Sequence, residues 1–172
     1  MQLIKNGAFV ADGWQTVADD ADLPDGPVIV SLQRWQKEQN ALVARGTPLG
    51  IRLKSGEAPS LIAADLDKFE VVALEFPVYR NGRAYSYARL LRERYGYTGE
   101  IRAVGAVLRD QFYFLVRVGF DALEVRDNIT PEIWRESVGV FTNDYQPSSD
   151  GKPSVLSLRQ RLAAHASGRK AG

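Results

Sequence analysis

The sequence predicts an α/β fold in which five sequential strand–helix units form a parallel sheet with helices on one face. Five short runs are rich in aliphatic residues, and a segment with helical spacing of apolar residues follows each of them; the runs are residues 28–32, 49–54, 71–76, 100–104 and 122–126. Strands and helices that alternate at these lengths are typical of parallel sheets with right-handed crossovers. The expected architecture is an arc of a TIM barrel with fewer than the usual eight units.

Four charged residues predict how this sheet is wound. Arg52, Glu75, Arg102 and Glu124 each follow an aliphatic residue within a strand, so they lie on the face opposite to that residue. Helices on both faces would bury these charges, which costs several kcal/mol per ion. In a singly wound sheet, neighbouring strands about 4.8 Å apart place the opposite charges side by side. A flavodoxin-like doubly wound sheet stays open as the alternative.

Turn and cap signals predict the other elements. Residues 2–5 and 8–10 flank Asn6-Gly7, which indicates a β-hairpin within residues 1–18. Helices are expected at 33–45, 59–69, 85–95, 109–118 and 131–138, the third with Tyr95 inward and the second with Leu61, Ile62 and Leu66 inward. A single domain is expected over 1–141, with the hairpin at 1–18 and the βα units at 27–141. A flexible C-terminal tail with a short amphipathic helix is expected over 142–172.

The composition excludes several classes of function. The 172 residues contain no cysteine and one histidine, His165, which argues against thiol chemistry, a cysteine-ligated cluster, a histidine-rich metal site and a Ser-His-Asp triad. The net charge of +1 provides no field that would attract nucleic acid. No segment approaches the roughly 20 apolar residues of a membrane span. We therefore expect a cytoplasmic protein with neither nucleic acid nor membrane as a partner.

The candidate ligand-binding residues follow the ends of the predicted strands. Ligands of parallel α/β sheets bind at the carboxyl ends of the strands, and these ends carry mostly cationic side chains in this chain: Lys54, Arg80, Arg83, Arg109 and Arg126, with Arg102 in the charged row. Such a set suits an anion, for example sulfate, phosphate, a nucleotide or a carboxylate. The alternative is that these are surface arginines that cap helices or pair with carboxylates.

The stretch PVYRNGRAYSYARLLRERYG, residues 77–96, is the most distinctive one. Tyr85 can stack on a planar ligand or pack at the rim of the sheet. Ser86 can bind the ligand or cap the helix, and no histidine is near to activate it as a nucleophile. Glu75 and Asp110 are the candidate acid/base residues. Arginines beside Glu75 would lower its pKa, which makes a structural role in the charged row the stronger alternative.

Residues 76–125 resemble a bacterial family of unknown function whose members are commonly labelled "oxidoreductase probably involved in sulfite reduction". The family pattern is close to F-P-x-[YF]-x-D-G-R-[GA]-[YF]-S-x-A-R-x-L-R-x-R-x-G, continuing through [ED]-[IL]-R-A-x-G-x-V-x-R-D-Q, and the chain matches it from Phe76 to Gln111 with Asn81 where Asp is usual. The resemblance implies a role in sulfite or sulfate assimilation but provides no catalytic residues. The matched polar positions include Arg83, Tyr85, Ser86, Arg89, Arg102, Arg109, Asp110 and Gln111.

These observations lead to one functional expectation with two alternatives. We expect an accessory protein of sulfur assimilation that binds a sulfur oxyanion, a nucleotide or a partner enzyme of sulfite reduction at the strand ends. The alternatives are a small oxidoreductase or other enzyme that acts on an anionic substrate, and an interaction scaffold without a ligand. The cofactor is unknown, because no redox residue or phosphate-binding glycine motif is present, although flavin binding requires neither. The open face of an arc also suggests a homodimer.

Overall fold

Eight strands form one curled sheet in the computed structural model, which describes residues 1–78 and 80–139. The strands are β1 Gln2–Lys5, β2 Ala8–Val10, β3 Gln15–Thr16, β4 Val28–Ser31, β5 Leu49–Leu53, β6 Val71–Phe76, β7 Glu100–Gly105 and β8 Ala122–Val125. Their order in the sheet is β2-β1-β8-β7-β6-β5-β4-β3. Strands β4 to β8 are parallel and adjacent in chain order, which confirms the sequential winding and excludes the flavodoxin-like alternative.

The helices all pack on one face of this sheet. They are α1 Leu32–Ala44, α2 Arg83–Arg89, α3 Phe112–Arg117 and α4 Pro131–Val138. The main core contains Trp35, Leu91, Phe112 and Trp134 from the helical segments together with the inward residues of the strands. The predicted single helical layer is confirmed. Among the residues that the structure describes, no helix combines the length and the apolar character that a membrane crossing requires.

Three of the expected helices differ from simple α-helices. In place of one α-helix over 59–69, the chain forms the 3-10 helices Pro59–Leu61 and Ala63–Lys68. Ile62 between them has φ −123° and ψ 7°, which interrupts the helix, and Leu61 is 54% exposed instead of inward. Ile62 and Leu66 are buried, as expected.

The expected helix 85–95 begins earlier, as α2, and ends in a π-helical turn, Leu90–Arg94. The expected helix 109–118 begins as the 3-10 turn Arg109–Gln111, which precedes α3.

The N-terminal hairpin extends one edge of the sheet. Strand β1 pairs antiparallel with both β2 and β8. Asn6 and Gly7 have φ values of 49° and 81°, and positive φ at both positions is what the two-residue turn between twisted strands requires. The predicted hairpin is therefore confirmed. The predicted tail, residues 142–172, lies outside the described residues.

The connection between the two edge strands requires the sheet to curl. Four residues, 11–14, join the end of β2 to the start of β3 at the opposite edge. In a flat sheet these two strands would be about 34 Å apart, at about 4.8 Å per strand. The five Cα-to-Cα steps from Val10 to Gln15 reach at most about 18 Å. The sheet therefore forms a half-barrel whose helix-covered face is convex and whose other face is concave.

Candidate ligand site on the concave face

An apolar cluster occupies part of the concave face. Ile29, Val71, Ala73 and Val104 are buried there, and Trp14 packs against them. Gly50 belongs to the same face, where a Cβ atom would lie 2.9 Å from Cγ1 of Ile29. This part of the face is therefore closely packed, and glycine is required at position 50.

The predicted charged row is present on the concave face, but it is staggered. Nε of Arg52 lies 3.2 Å from Oε2 of Glu75 on the adjacent strand, as predicted. The register places Arg102 opposite Ala73, whereas Glu75 is opposite Val104. Arg52 and Arg102 thus lie at one level of the sheet, and Glu75 and Glu124 lie one step nearer its carboxyl edge. The expected even row of alternating charges is corrected to two levels, because parallel strands in this register do not align the four residues.

Arg102 lies at the centre of a buried ion network. Its Nη1 atom lies 2.7 Å from Oδ2 of Asp12 and 3.9 Å from Oε1 of Glu124, and its Nε lies 2.8 Å from Oε1 of Glu100. Nζ of Lys5 contacts the other oxygen of Glu100 at 2.7 Å. The side chain of Arg102 is 1% exposed. It was a predicted ligand residue, and the structure places it inside the fold with three carboxylates around it.

Residues 11–14, which we call the strap, lie against the concave face. Asp12 binds Arg102, and one of its carboxylate oxygens also accepts a hydrogen bond of 3.1 Å from the backbone N–H of Trp14. Trp14 packs on the apolar cluster. The strap is therefore attached by one ion pair and one aromatic ring. Sequence reasoning missed Asp12 because Asp-Gly is a common turn dipeptide, and because its partner Arg102 lies 90 positions away in the chain.

The carboxylate of Glu124 on this face has a raised pKa. Burial raises the pKa of Glu124 above its ordinary value, and the charge of Asp12 acts in the same direction. The guanidinium groups of Arg102 and Arg52 act against this rise in pKa. The sequence placed Glu124 in the charged row but provided no signal that it would be less well paired than Glu75.

The two predicted acid/base residues lie on different sides of β6. Glu75 faces the concave side and is paired with Arg52. Asp110 is exposed in the turn before α3, close enough to Tyr85 that its charge, together with burial as the larger cause, raises the pKa of Tyr85 to about 12. Tyr85 packs edge-on against Phe76, with ring centroids 5.5 Å apart, on the helix-covered side. The structure thus brings Asp110 and Tyr85 together and keeps Glu75 apart from them.

The remaining predicted residues are distributed around the carboxyl edge. Lys54, Arg83 and Arg126 are exposed, and none of them forms an ion pair with another residue in the ranges 1–78 and 80–139; we call these three residues the rim cations. Arg80 is exposed in the loop before α2.

Arg109 is paired with α4. Its Nη2 lies 2.8 Å from Glu136 and its Nε donates to Oγ of Ser137, which connects the turn before α3 to α4. Ser86 is exposed on α2, beside Arg89 and Leu90 in a shallow groove.

Two further strand-end residues have structural roles. Ser31 caps α1 by accepting a hydrogen bond from the backbone N–H of Arg34. Arg34 donates to the carbonyl oxygens of Ala18 and Ala21, which fixes the loop before β4. No group of three acidic or histidine side chains within the described ranges is arranged to hold a metal ion.

The fold and this face define the class of the protein, an α/β half-barrel with a charged concave face. A family model described as "Bacterial protein of unknown function (DUF934)" matches residues 50–156, and the chain belongs to this family. The matched segment contains all four residues of the charged row but not the strap. A search of curated proteins gives no match. The resemblance to a bacterial family of unknown function is thus confirmed, and the family description names no activity.

Proposed function

We propose that the protein binds a small oxyanion at the carboxyl ends of its parallel strands, as an accessory protein of sulfite and sulfate assimilation. The rim cations are the observation that supports this location of the anion site. Lys54 follows β5, Arg83 begins α2 after β6, and Arg126 follows β8. The support for sulfur assimilation is the label carried by the proteins that the segment from Phe76 to Gln111 resembles.

The rim cations differ from the other well-placed arginines of the protein. Arg92 donates to three backbone carbonyl oxygens and pairs with Asp121. Its guanidinium group holds loops in place and has little capacity left for a ligand. An exposed cation without a carboxylate partner can exchange water for the oxygen of an anion, and each such contact contributes about 1.5–3 kcal/mol. This difference supports ligand binding over a role in capping or surface pairing.

An accessory role is favoured because the predicted acid/base residues do not converge. Glu75 is held by Arg52, and Asp110 lies with Tyr85 on the other side of β6. A second candidate is an enzyme that acts on the same anion, and one observation favours it. Glu124 is a partly buried carboxyl with a raised pKa, which is the property of a general acid. Turnover of sulfite with a reduced flavin or nicotinamide, abolished in Glu124→Gln, would support this second candidate.

Isothermal titration calorimetry tests the proposal with sulfate, sulfite, phosphate and a phosphosulfate nucleotide. We expect at least one of them to bind, and Lys54→Ala/Arg126→Ala to weaken the binding by about a hundredfold or more, since 1.4 kcal/mol corresponds to a factor of ten. The control is Lys37→Ala/Arg135→Ala, which removes the same charge from exposed positions on α1 and α4. If the wild type binds none of these anions at millimolar concentration, the proposal is wrong and the scaffold alternative takes its place.

A further inference from the structure

The carboxylate of Glu124 has no hydrogen-bond donor among the described residues. Its nearest cation, Nη1 of Arg102, lies 3.9 Å from Oε1, which is too long for a hydrogen bond. That guanidinium is already occupied by Asp12 and Glu100 at 2.7 and 2.8 Å. The side chain of Glu124 is nevertheless 24% exposed, so a ligand on the concave face can reach it. A partly buried carboxylate in this condition is an unused hydrogen-bond acceptor.

The surroundings of this acceptor are favourable for an anion. The charges that act on Glu124 are those of Arg102, Arg52, the N-terminal ammonium group and Asp12, and three of these four are positive. Further charges on the packed strands are Lys5 on β1 and Glu100 on β7, which pair with each other. Glu124 is the next to last residue of β8, and the rim cation Arg126 follows two residues later. An anion held by the rim therefore meets positive charge together with the carboxylate of Glu124, which lacks a hydrogen-bond donor among the described residues.

We propose that Glu124 is a specificity-determining residue of the anion site, which selects oxyanions that carry a proton, such as hydrogenphosphate and hydrogensulfite, over sulfate. This inference rests on the proposed function. An O–H group of the anion donates to the Glu124 carboxylate and provides the donor that the structure lacks. Sulfate carries only acceptors at neutral pH, so its oxygens would face the carboxylate without a proton between them. A site with a polar group that one ligand satisfies rejects an analogue that cannot satisfy it.

The same position of Glu124 makes the affinities for sulfate and hydrogenphosphate depend on pH. A proton on Glu124 converts it from an acceptor into a donor, which a sulfate oxygen can then accept. Burial raises the pKa of Glu124, so this proton is taken up above the pH range of an ordinary glutamate. The affinity for sulfate should therefore increase as the pH falls, and the preference for hydrogenphosphate should decrease. No histidine lies in the described part of the chain to produce the same effect.

The test is calorimetry at pH 7.5 with phosphate and sulfate on the wild type, Glu124→Gln and Glu70→Gln. The glutamine is isosteric and neutral, and Glu70 is an exposed glutamate at the opposite end of the sheet, next to the start of β6. We expect the wild type and Glu70→Gln to bind phosphate at least about tenfold more tightly than sulfate, a difference of about 1.4 kcal/mol. In Glu124→Gln we expect tighter binding of sulfate and a ratio near one. Sulfite should follow phosphate, with tighter binding at pH 6 than at pH 8.

The possible outcomes separate this inference from the proposed function. If the wild type binds none of sulfate, sulfite, phosphate and the phosphosulfate nucleotide, the proposed function is overturned, and the selectivity with it. If it binds another of these anions but not phosphate, only the selectivity is overturned. Equal affinities in the wild type, or an unchanged ratio in Glu124→Gln, overturn the selectivity while the anion site stands. Circular dichroism and thermal melts establish that the variants are folded. If Glu124→Gln does not fold, Glu124→Asp withdraws the carboxylate by one methylene group, and an unchanged ratio in that variant equally contradicts the inference.

Discussion

Replacement of Arg102 by methionine tests whether this guanidinium is shielded from water on the concave face. The guanidinium is 1% exposed and contacts Asp12 and Glu100 at hydrogen-bonding distance, so its removal leaves those carboxylates without their partner. Removing one partner of a buried ion pair costs about 3–5 kcal/mol. Lys5 still compensates Glu100, and Asp12 is exposed enough to be hydrated, so we expect the lower end of this range, about 3 kcal/mol.

The matched control is Glu75→Gln, which removes one partner of the more exposed pair on the same face. Arg52 and Glu75 are 37% and 23% exposed, so water screens this pair and the loss should be under about 1 kcal/mol. In Arg102→Met the carboxylates of Asp12 and Glu100 both lose their partner. The double variant Arg102→Met/Glu100→Gln removes one of these two unpaired charges, so it should recover part of the lost free energy of unfolding.

Urea denaturation at pH 7 measures these losses, followed by circular dichroism and by tryptophan fluorescence. The slope of the free energy of unfolding against urea should be the same in all variants, so that a shift in midpoint reports stability alone. Two results would refute the reasoning. Arg102→Met could be within 1 kcal/mol of the wild type, or Arg102→Met and Glu75→Gln could be equally destabilised. In either case water reaches Arg102, and the strap does not shield it.

Two further predictions concern the backbone at Gly105 and the way in which the contribution of Glu124 to stability depends on pH. Gly105 has φ +93°, and a Cβ atom there would lie 2.6 Å from the carbonyl oxygen of Phe76. Urea denaturation should therefore show that Gly105→Ala lowers the free energy of unfolding by about 1–3 kcal/mol or more. Gly56→Ala, with no atom within 4 Å of the new Cβ, should stay close to the wild type, and equal effects of the two would contradict the prediction. The pKa of Glu124 is raised from 4.5 in the folded protein, so its contribution to stability is complete below that pH and is lost as the pH rises through the folded-state pKa. Glu124→Gln should therefore match the wild type near pH 4 and be more stable at pH 7, and the reverse order in melts at the two pH values would refute this.

The local pattern of the sequence was sufficient to predict the parallel arc. The alternation of aliphatic and charged residues placed Arg52 and Glu75 on adjacent strands and on the same face, and Asn6-Gly7 predicted the hairpin turn. These inferences succeed because the side-chain period of a strand and the φ requirement of a tight turn depend on residues within a few positions of each other. The family resemblance was likewise carried by a contiguous segment.

The tertiary structure decided which charged groups meet. Asp12 and Arg102 are 90 positions apart in the chain and meet because the sheet curls and the strap crosses its concave face. The register of β6 with β7 separates Glu75 from Arg102, and the position of α4 brings Glu136 to Arg109. Residues 59–69 form 3-10 helices, although their apolar spacing also fits an α-helix. The sequence by itself determined the five parallel strands, their order and the identity of the charges on one face. Burial, pairing and the pKa of Glu124 depend on distances between segments remote in the chain, and those distances exist only once the half-barrel has closed.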